Sequence, residues 1–447
     1  MKNLSPSLPF FFILALSITC SAIAHADRGE VPELWTAAAA VAYALDSNPD
    51  VVVARKRIET AQTATRLAAS ANYPTVGISG EYAQTTTPMY SFGNILNQGA
   101  FDNSIDFNDP GRTDNLQLRA TLSHTFYNGG RNQAEEEAAA AAALVTENDL
   151  TIVHHQLGYE TVKAFHAIAQ AEKMVTVREQ EVTAISSALS VGMARYEAGD
   201  LLRQDLLNLE LQQARASENL IHSRHQLELG KRTFLNLLGL PPRAVNVDVG
   251  RDSQQQLPTQ LNYHDRPELK RLTAMIKTAE AELRAAEAGK RPTVDAYAAY
   301  QIDSGLIEGE SGDSWQAGVR LNHILFDGER TKSRIAMARL KIQELQGSKR
   351  KAEMALDLEL QQAELDYRQA EERLGVTTKM VDVAEEVTRL SRARFREGVI
   401  LASEMIELEM RLTDAHARQL SAVAAHQVAI ANLRRTAGLP QFPGSTL

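Results

Sequence analysis

Three acids that follow two glycines are the residues best placed to do chemistry. Gly199 opens the stretch GDLLRQDLLN and Gly398 opens GVILASEMIE, and the two align without gaps. The alignment pairs Asp205 with Glu404 and Asn208 with Glu407. Side chains three residues apart on a helix share one face, so Glu404 and Glu407 project together. Where copies of such a pair meet in a narrow space, they favour cations and repel anions. On spacing alone they read more simply as solvated helix surface. Catalytic patterns are missing elsewhere. His222 and His225 lie three apart without a third ligand, no Gly-rich loop follows a strand, and no nucleophile elbow stands out. The chain reads as a non-enzyme that needs neither cofactor nor metal.

The elements that must position these acids begin after a leader. Met1–Asn3 with Lys2, a short apolar core and AHA ending at Ala26 describe a secretory signal peptide cut before Asp27. Cleavage would remove Cys20, the only cysteine. Lipidation of Cys20 is the weaker alternative, because Thr19 is a poor residue before such a site. Without thiols, disulfides and cysteine-held metals are excluded. The formal charge of −9 argues against a nucleic-acid partner. No later stretch offers the ~18 consecutive apolar residues of a spanning helix, so any membrane passage must use a closed β-barrel.

The chain is written twice. Pro49, Pro74 and Tyr82 match Pro267, Pro292 and Tyr300, each 218 positions on. LSHTFYNGGR (122–131) matches LNHILFDGER (321–330) at 199, as do Gly199 with Gly398 and LGLP (238–241) with AGLP (437–440). The divisions implied are 1–26 signal peptide, 27–241 first repeat, 242–265 linker, 266–440 second repeat and 441–447 tail. Each repeat reads as helix, strand, loop, strand and helical hairpin.

The strands alternate with period two. Leu116, Leu118 and Leu122 oppose Gln117, Arg119 and Thr121, while Trp315, Val319 and Leu321 oppose Gln316, Arg320 and Asn322. From Leu360 through Ala363, Ala370, Thr377, Val381 and Thr388 to Phe395 runs a heptad seam. A second stripe, Val376, Met380, Val383, Val387 and Leu390, predicts neighbours on both sides of that helix. A helix from Arg131 to Arg195 would span ~98 Å, matching two shorter helices stacked end to end at ~95 Å. One chain therefore predicts four helical columns hung from four strands. Four strands cannot close a barrel, so the chain must oligomerise if they lie in a membrane.

The order and spacing of NPDVVVAR, YPTV/RPTV, FYNGGR/FDGER, RYEAGD/RFREGV and LGLP/AGLP resemble the TolC-type outer-membrane efflux family from about Val41 to Pro440. The resemblance implies a homotrimer, with a 12-stranded outer-membrane β-barrel on an α-barrel of 12 helical columns. It implies the exit duct of a tripartite efflux pump or type I secretion system. The partners would be outer-membrane lipid, a periplasmic adaptor (membrane fusion) protein and an inner-membrane transporter of RND or ABC type. The other reading, an elongated periplasmic coiled-coil structural or adhesion protein without a pore, explains the heptads but not the alternating strands.

The family's acidic constriction falls six and nine positions after the second tip glycine. The resemblance therefore gives Glu404 and Glu407 to the pore ring and adds Asp205 from the first copy. Gly199 and Gly398 become the hairpin tips. Leu201, Leu202, Ile400 and Leu401 either pack on one another or meet the adaptor. Relatives that close through a Tyr and an Arg near the second tip differ from this chain, which has Phe395 and Ile400 there. Tyr196 persists in the first copy, and Arg203 is free to act differently. The loops 84–114 and 302–313 would face outside, the first as a surface loop or as a lid over the outer mouth.

Overall fold

The computed structural model describes residues 31–250, 255–307 and 309–442. The signal peptide with Cys20, part of the linker (251–254) and residues 443–447 of the tail lie outside the described residues. A two-residue strand β1 (Leu34–Trp35) leads into α1 (Ala37–Ser47) and α2 (Pro49–Ser70). Then follow β2 (Thr75–Thr85), α3 (Pro88–Asn97), β3 (Thr113–Tyr127), α4 (Arg131–Glu197) and α5 (Arg203–Leu237). The short strand β4 (Asn246–Val247) precedes the second series: α6 (Pro267–Ala288), β5 (Thr293–Ser304), β6 (Ser311–Asn322), α7 (Arg330–Arg396) and α8 (Ala402–Thr436). No described helix is long and apolar enough to cross a membrane.

The two series match element for element: α4 and α7 have 67 residues each, α5 and α8 have 35, and α2 and α6 have 22. At 1.5 Å per residue the long helices reach ~100 Å. Alanine-rich segments of α4 suit close packing, since Ala costs little to hold in a helix. α4 packs on α2 and α6 toward the sheet and on α5 and α8 toward the far end, while α7 packs on α6 and α8. The lateral order is therefore α2 over α5, then α4, then α6 over α8, then α7.

The four long strands form one antiparallel sheet in the order β2-β3-β5-β6, continuing the columns below them. Registry places Val76 opposite Leu122 and Tyr82 opposite Leu116, and Tyr300 opposite Trp315. These apolar side chains share one uncovered face, with Ile78 81% and Trp315 76% exposed. The opposite face is polar and cross-linked. Gln117 Nε2 and Asn115 Nδ2 donate to Asp303 Oδ1 at 2.9 and 2.6 Å. A surface that is bare and apolar on one side and hydrogen-bonded on the other suits lipid outside and water inside.

One expected surface loop is partly helical. Pro88 takes the first helical turn of α3, where its missing N–H costs nothing. The surrounding Gly, Ser and Asn residues hide this helix from a reading by composition.

A waist joins the stacked short helices. Asn48 caps α2 by accepting from Asp50 N at 2.7 Å, and its Nδ2 donates to Leu237 O at the end of α5 at 2.8 Å. Gly239 (φ 69°) lets the chain turn there, in a conformation L side chains resist, and a Cβ would meet Ser47 O at 3.1 Å. In the second series Arg266 replaces Asn48. Its Nη1 donates to Thr436 O at 3.4 Å and to Glu359 Oε2 at 2.8 Å. Around the first joint, Trp35, Val41, Phe165, Phe234 and Leu238 form the largest core. The Trp35 and Phe234 rings meet edge-on at 5.9 Å.

Candidate functional site: the hairpin tips

Both tips end their long helix in the same way. Gly199 (φ 82°) and Gly398 (φ 77°) adopt the left-handed conformation. Gly199 N donates to Tyr196 O and Asp200 N to Arg195 O at 3.0 and 2.8 Å. Gly398 N donates to Phe395 O and Val399 N to Arg394 O at 3.1 and 2.9 Å. This paired closure satisfies helix-end carbonyls and requires a residue without a Cβ penalty at the turn. The return helices start at N-caps Leu202 and Leu401, neither of which supplies a side-chain cap.

The two tips are packed together through a small apolar cluster of Ala188, Leu209, Phe395, Ile400, Ala402, Met405 and Ile406, with Leu201 at its edge. The leucine and isoleucine pairs therefore split. Ile400 is buried and Leu201 half-buried, whereas Leu202 and Leu401 are 71% and 68% exposed. Gly192 is the close-approach point within the first hairpin, because a Cβ there would lie 2.6 Å from Leu209 Cδ1.

Phe395 is fully buried, and the Arg195 guanidinium lies 5.6 Å from its ring centroid. Arg195 also reaches across the hairpins to Phe395 O at 3.5 Å and along its own turn to Asp200 O at 3.3 Å. A few residues up, Arg392 grips the buried Glu409 through two nitrogens, with Nη2 to Oε2 at 2.8 Å. Neither contact stood out in the sequence. Arg195 was visible only as half of the RY/RF repeat, and Glu409 as one more acid on a helix. Tyr196 and Arg203 are exposed and are not members of this cluster.

The three acids stand outside the cluster. Asp205 and Glu404 occupy the equivalent first turn of α5 and α8, where the helix dipole favours a negative charge. Glu404 and Glu407 are both exposed, and Asp205 is half-exposed. Glu407 is paired with Arg411 one turn on, an exposed ion pair of small energetic weight. Above the tip, a cleft of about 820 Å³ between α4 and the α7–α8 hairpin is lined by Glu179, Arg392, Phe395, Glu409 and His416. His222 and His225 are exposed, and no metal-holding group of three occurs among the described residues.

The family model for outer membrane efflux proteins matches residues 40–240 and 260–439. A curated relative, outer membrane efflux protein BepC of Brucella suis biovar 1 (strain 1330), is 23% identical over 209 residues. That stretch is 43% of this chain and 45% of the relative, so less than half of the relative's length is spanned. A solved structure of CusC has a TM-score of 0.79 at 16% identity, covering 90% of this chain and 92% of that one. The Neisseria gonorrhoeae MtrE outer membrane channel in its open state has a TM-score of 0.77 at 17% identity, covering 92% and 91%. At such identities the likeness shows the fold, a helical tunnel joined to a barrel-forming sheet.

Proposed function

This chain belongs to the outer membrane efflux protein family, and on that premise we propose that it is the exit duct of a tripartite efflux pump or type I secretion system. It is an outer-membrane protein that extends into the periplasm. Two tandem units, 27–241 and 266–440, supply one helical hairpin each, so every chain brings two to a homotrimer. Twelve strands then close one barrel above twelve helical columns. The partners are a periplasmic adaptor, met by Leu202 and Leu401 at the tips, and an inner-membrane transporter.

The observation that carries this reading is that the sheet and the column array are open at the same two edges. β2 and β6 each have an unpaired side, and α2 over α5 and α7 stand beneath them. An unpaired strand edge is not tolerated in lipid, so closure requires more copies. α7 presents Val376, Met380, Val383 and Val387 along an apolar groove of about 590 Å³. On the other edge α5 exposes Leu207, Leu211, Ile221 and Leu229. One copy's α7 stripe against the next copy's α5 stripe buries both.

With three copies, Asp205, Glu404 and Glu407 make stacked rings of carboxylates at the narrow end and select for cations. Double substitution Glu404→Ala with Glu407→Ala is expected to change single-channel conductance and weaken block by multivalent cations in planar bilayers. Identical conductance, selectivity and block would reject the ring. A parent protein that runs as a soluble elongated rod, with no detergent-extracted trimer, would reject the duct.

A further inference from the structure

The loop between β2 and β3 has 27 residues (86–112), against six (305–310) between β5 and β6. Its helix α3 bonds the sheet through one face. Ser91, Asn94 and Gln98 lie three and four residues apart and so point the same way. Ser91 Oγ donates to Gly111 O at 2.8 Å and accepts from Thr113 Oγ1 at 3.3 Å. Asn94 Nδ2 donates to Thr113 Oγ1 at 3.1 Å. Gln98 Nε2 donates to Asp114 O and Asn115 Oδ1 at 2.6 and 3.1 Å.

Side chains alternate along a strand, so these partners identify the face that α3 covers. Thr113 and Asn115 share the side of Gln117 and Arg119, the polar one. On β6 the same side carries Gln316, Ser314 and Gly312, and a Cβ on Gly312 would strike Asn97 O at 2.2 Å. Just past β5, a Cβ on Gly305 would strike Gln98 Oε1 at 2.3 Å. Glycine at both places lets α3 lie flat on the polar face, spanning β3 to β6. Ser91, Ile95 and Gln98 are buried there. Away from the sheet, Phe92 stacks with Phe107 and Phe101 at 4.6 and 5.8 Å between centroids. Met89 is 82%, Tyr90 69% and Phe107 60% exposed.

From this we infer that residues 86–112 fold into the lumen of the barrel and build a second constriction at its outer mouth, lined by aromatic and thioether groups. The inference rests on the barrel reading, in which the bare apolar face meets lipid and the polar face lines the pore. An apolar ring in a pore resists hydrated ions by dewetting while admitting apolar or aromatic solutes. The duct would then carry two unlike filters, acidic at the tip and aromatic at the mouth.

The test uses the full-length trimer in planar bilayers. Residues 88–110 are replaced by a short Gly–Ser linker in one variant. In a second, Gly312→Val drives a side chain into α3 without touching the strand's hydrogen bonds. Both keep Glu404 and Glu407. The linker variant is expected to raise single-channel conductance about twofold or more, and Gly312→Val to raise it less, because each opens the apolar ring. Conductance and ion selectivity equal to the parent's in both variants would overturn the inference and leave the channel reading standing. A parent trimer that conducts no ions would overturn both.

Discussion

At the waist, helices abut through a buried guanidinium, an asparagine cap and a core of large aromatic residues. At the tip, two hairpins meet through seven buried apolar side chains and one guanidinium resting on a ring, while one bidentate ion pair braces the second hairpin internally. The waist has Arg266, whose side chain is 4% exposed and which bonds Glu268, Glu359 and Thr436 O. Arg435 adds a second contact to Glu359 at 2.7 Å and stacks 5.2 Å from the Tyr159 ring. Both tip return helices start without side-chain caps, and both turns expose a leucine. The duct proposed above, held at its waist and gated at its tip, would use this asymmetry. Regions that move are drawn from the weakly held parts of a structure.

The largest effect that would sharpen the comparison comes from Arg266→Ala. It leaves Glu268 without its partner and Glu359 with Arg435 alone at a partly buried joint, a loss of roughly 1.5–3 kcal/mol for hydrogen bonds to charged groups. The expected outcome is a sharply lowered thermal midpoint and yield of trimer, with unchanged conductance in the trimers that form. A variant as stable as the parent would mean that Arg435 and the aromatic core hold the waist alone.

Much of this is legible in the amino-acid sequence. The duplication, the strand faces and the equal lengths of the long helices follow from spacing, because a repeat period and a period of two survive substitution. The joint at Arg266 did not follow. Aligning RPEL with NPDV made Arg266 look like a variant of Asn48, and its partner Glu359 lies 93 positions away. The helix α3 was hidden by loop-like residues, with Pro88 its only local signal. At the tip, the acids could be placed by counting from each glycine. Arg195 could not be given Phe395, since that contact spans 200 positions and depends on how the hairpins pack.

Acid separates the regions next. His154 and His166 are buried on α4, and burial lowers both to about 4, with Arg55 and His155 adding to the effect at His154. The unfolded value is about 6.5, so between these values the unfolded chain binds more protons. Stability therefore falls as pH drops from about 6.5 toward 4 and changes little from these groups below that. His154 packs beside the waist and His166 just below it, so the loss belongs to that region. The denaturant midpoint of the trimer should be lower at pH 4.5 than at pH 7, and His154→Gln with His166→Gln should flatten that slope. An unchanged slope would place the proton uptake elsewhere.

The smallest effect tests the tip itself. Phe395 lacks the hydroxyl of Tyr196, so the second tip offers Arg195 a ring face and a backbone carbonyl instead of a phenol. A cation over an aromatic ring at a partly exposed site contributes about 0.5–1 kcal/mol. The carbonyl contact, at 3.5 Å, is at the outer limit of a hydrogen bond and adds little. Arg195→Ala therefore removes a weak tie between hairpins without opening a cavity, since the guanidinium is only half-buried. If the tip is the gate, open probability in bilayers should rise up to about fivefold, with the thermal midpoint unmoved. Arg195→Lys should recover only part of the closed state, because an ammonium cannot lie flat on the ring and reach the carbonyl together. Equal open probability in all three proteins would exclude Arg195 as the closing contact and leave the apolar cluster of Leu209, Phe395, Ile400 and Met405 to hold the hairpins together.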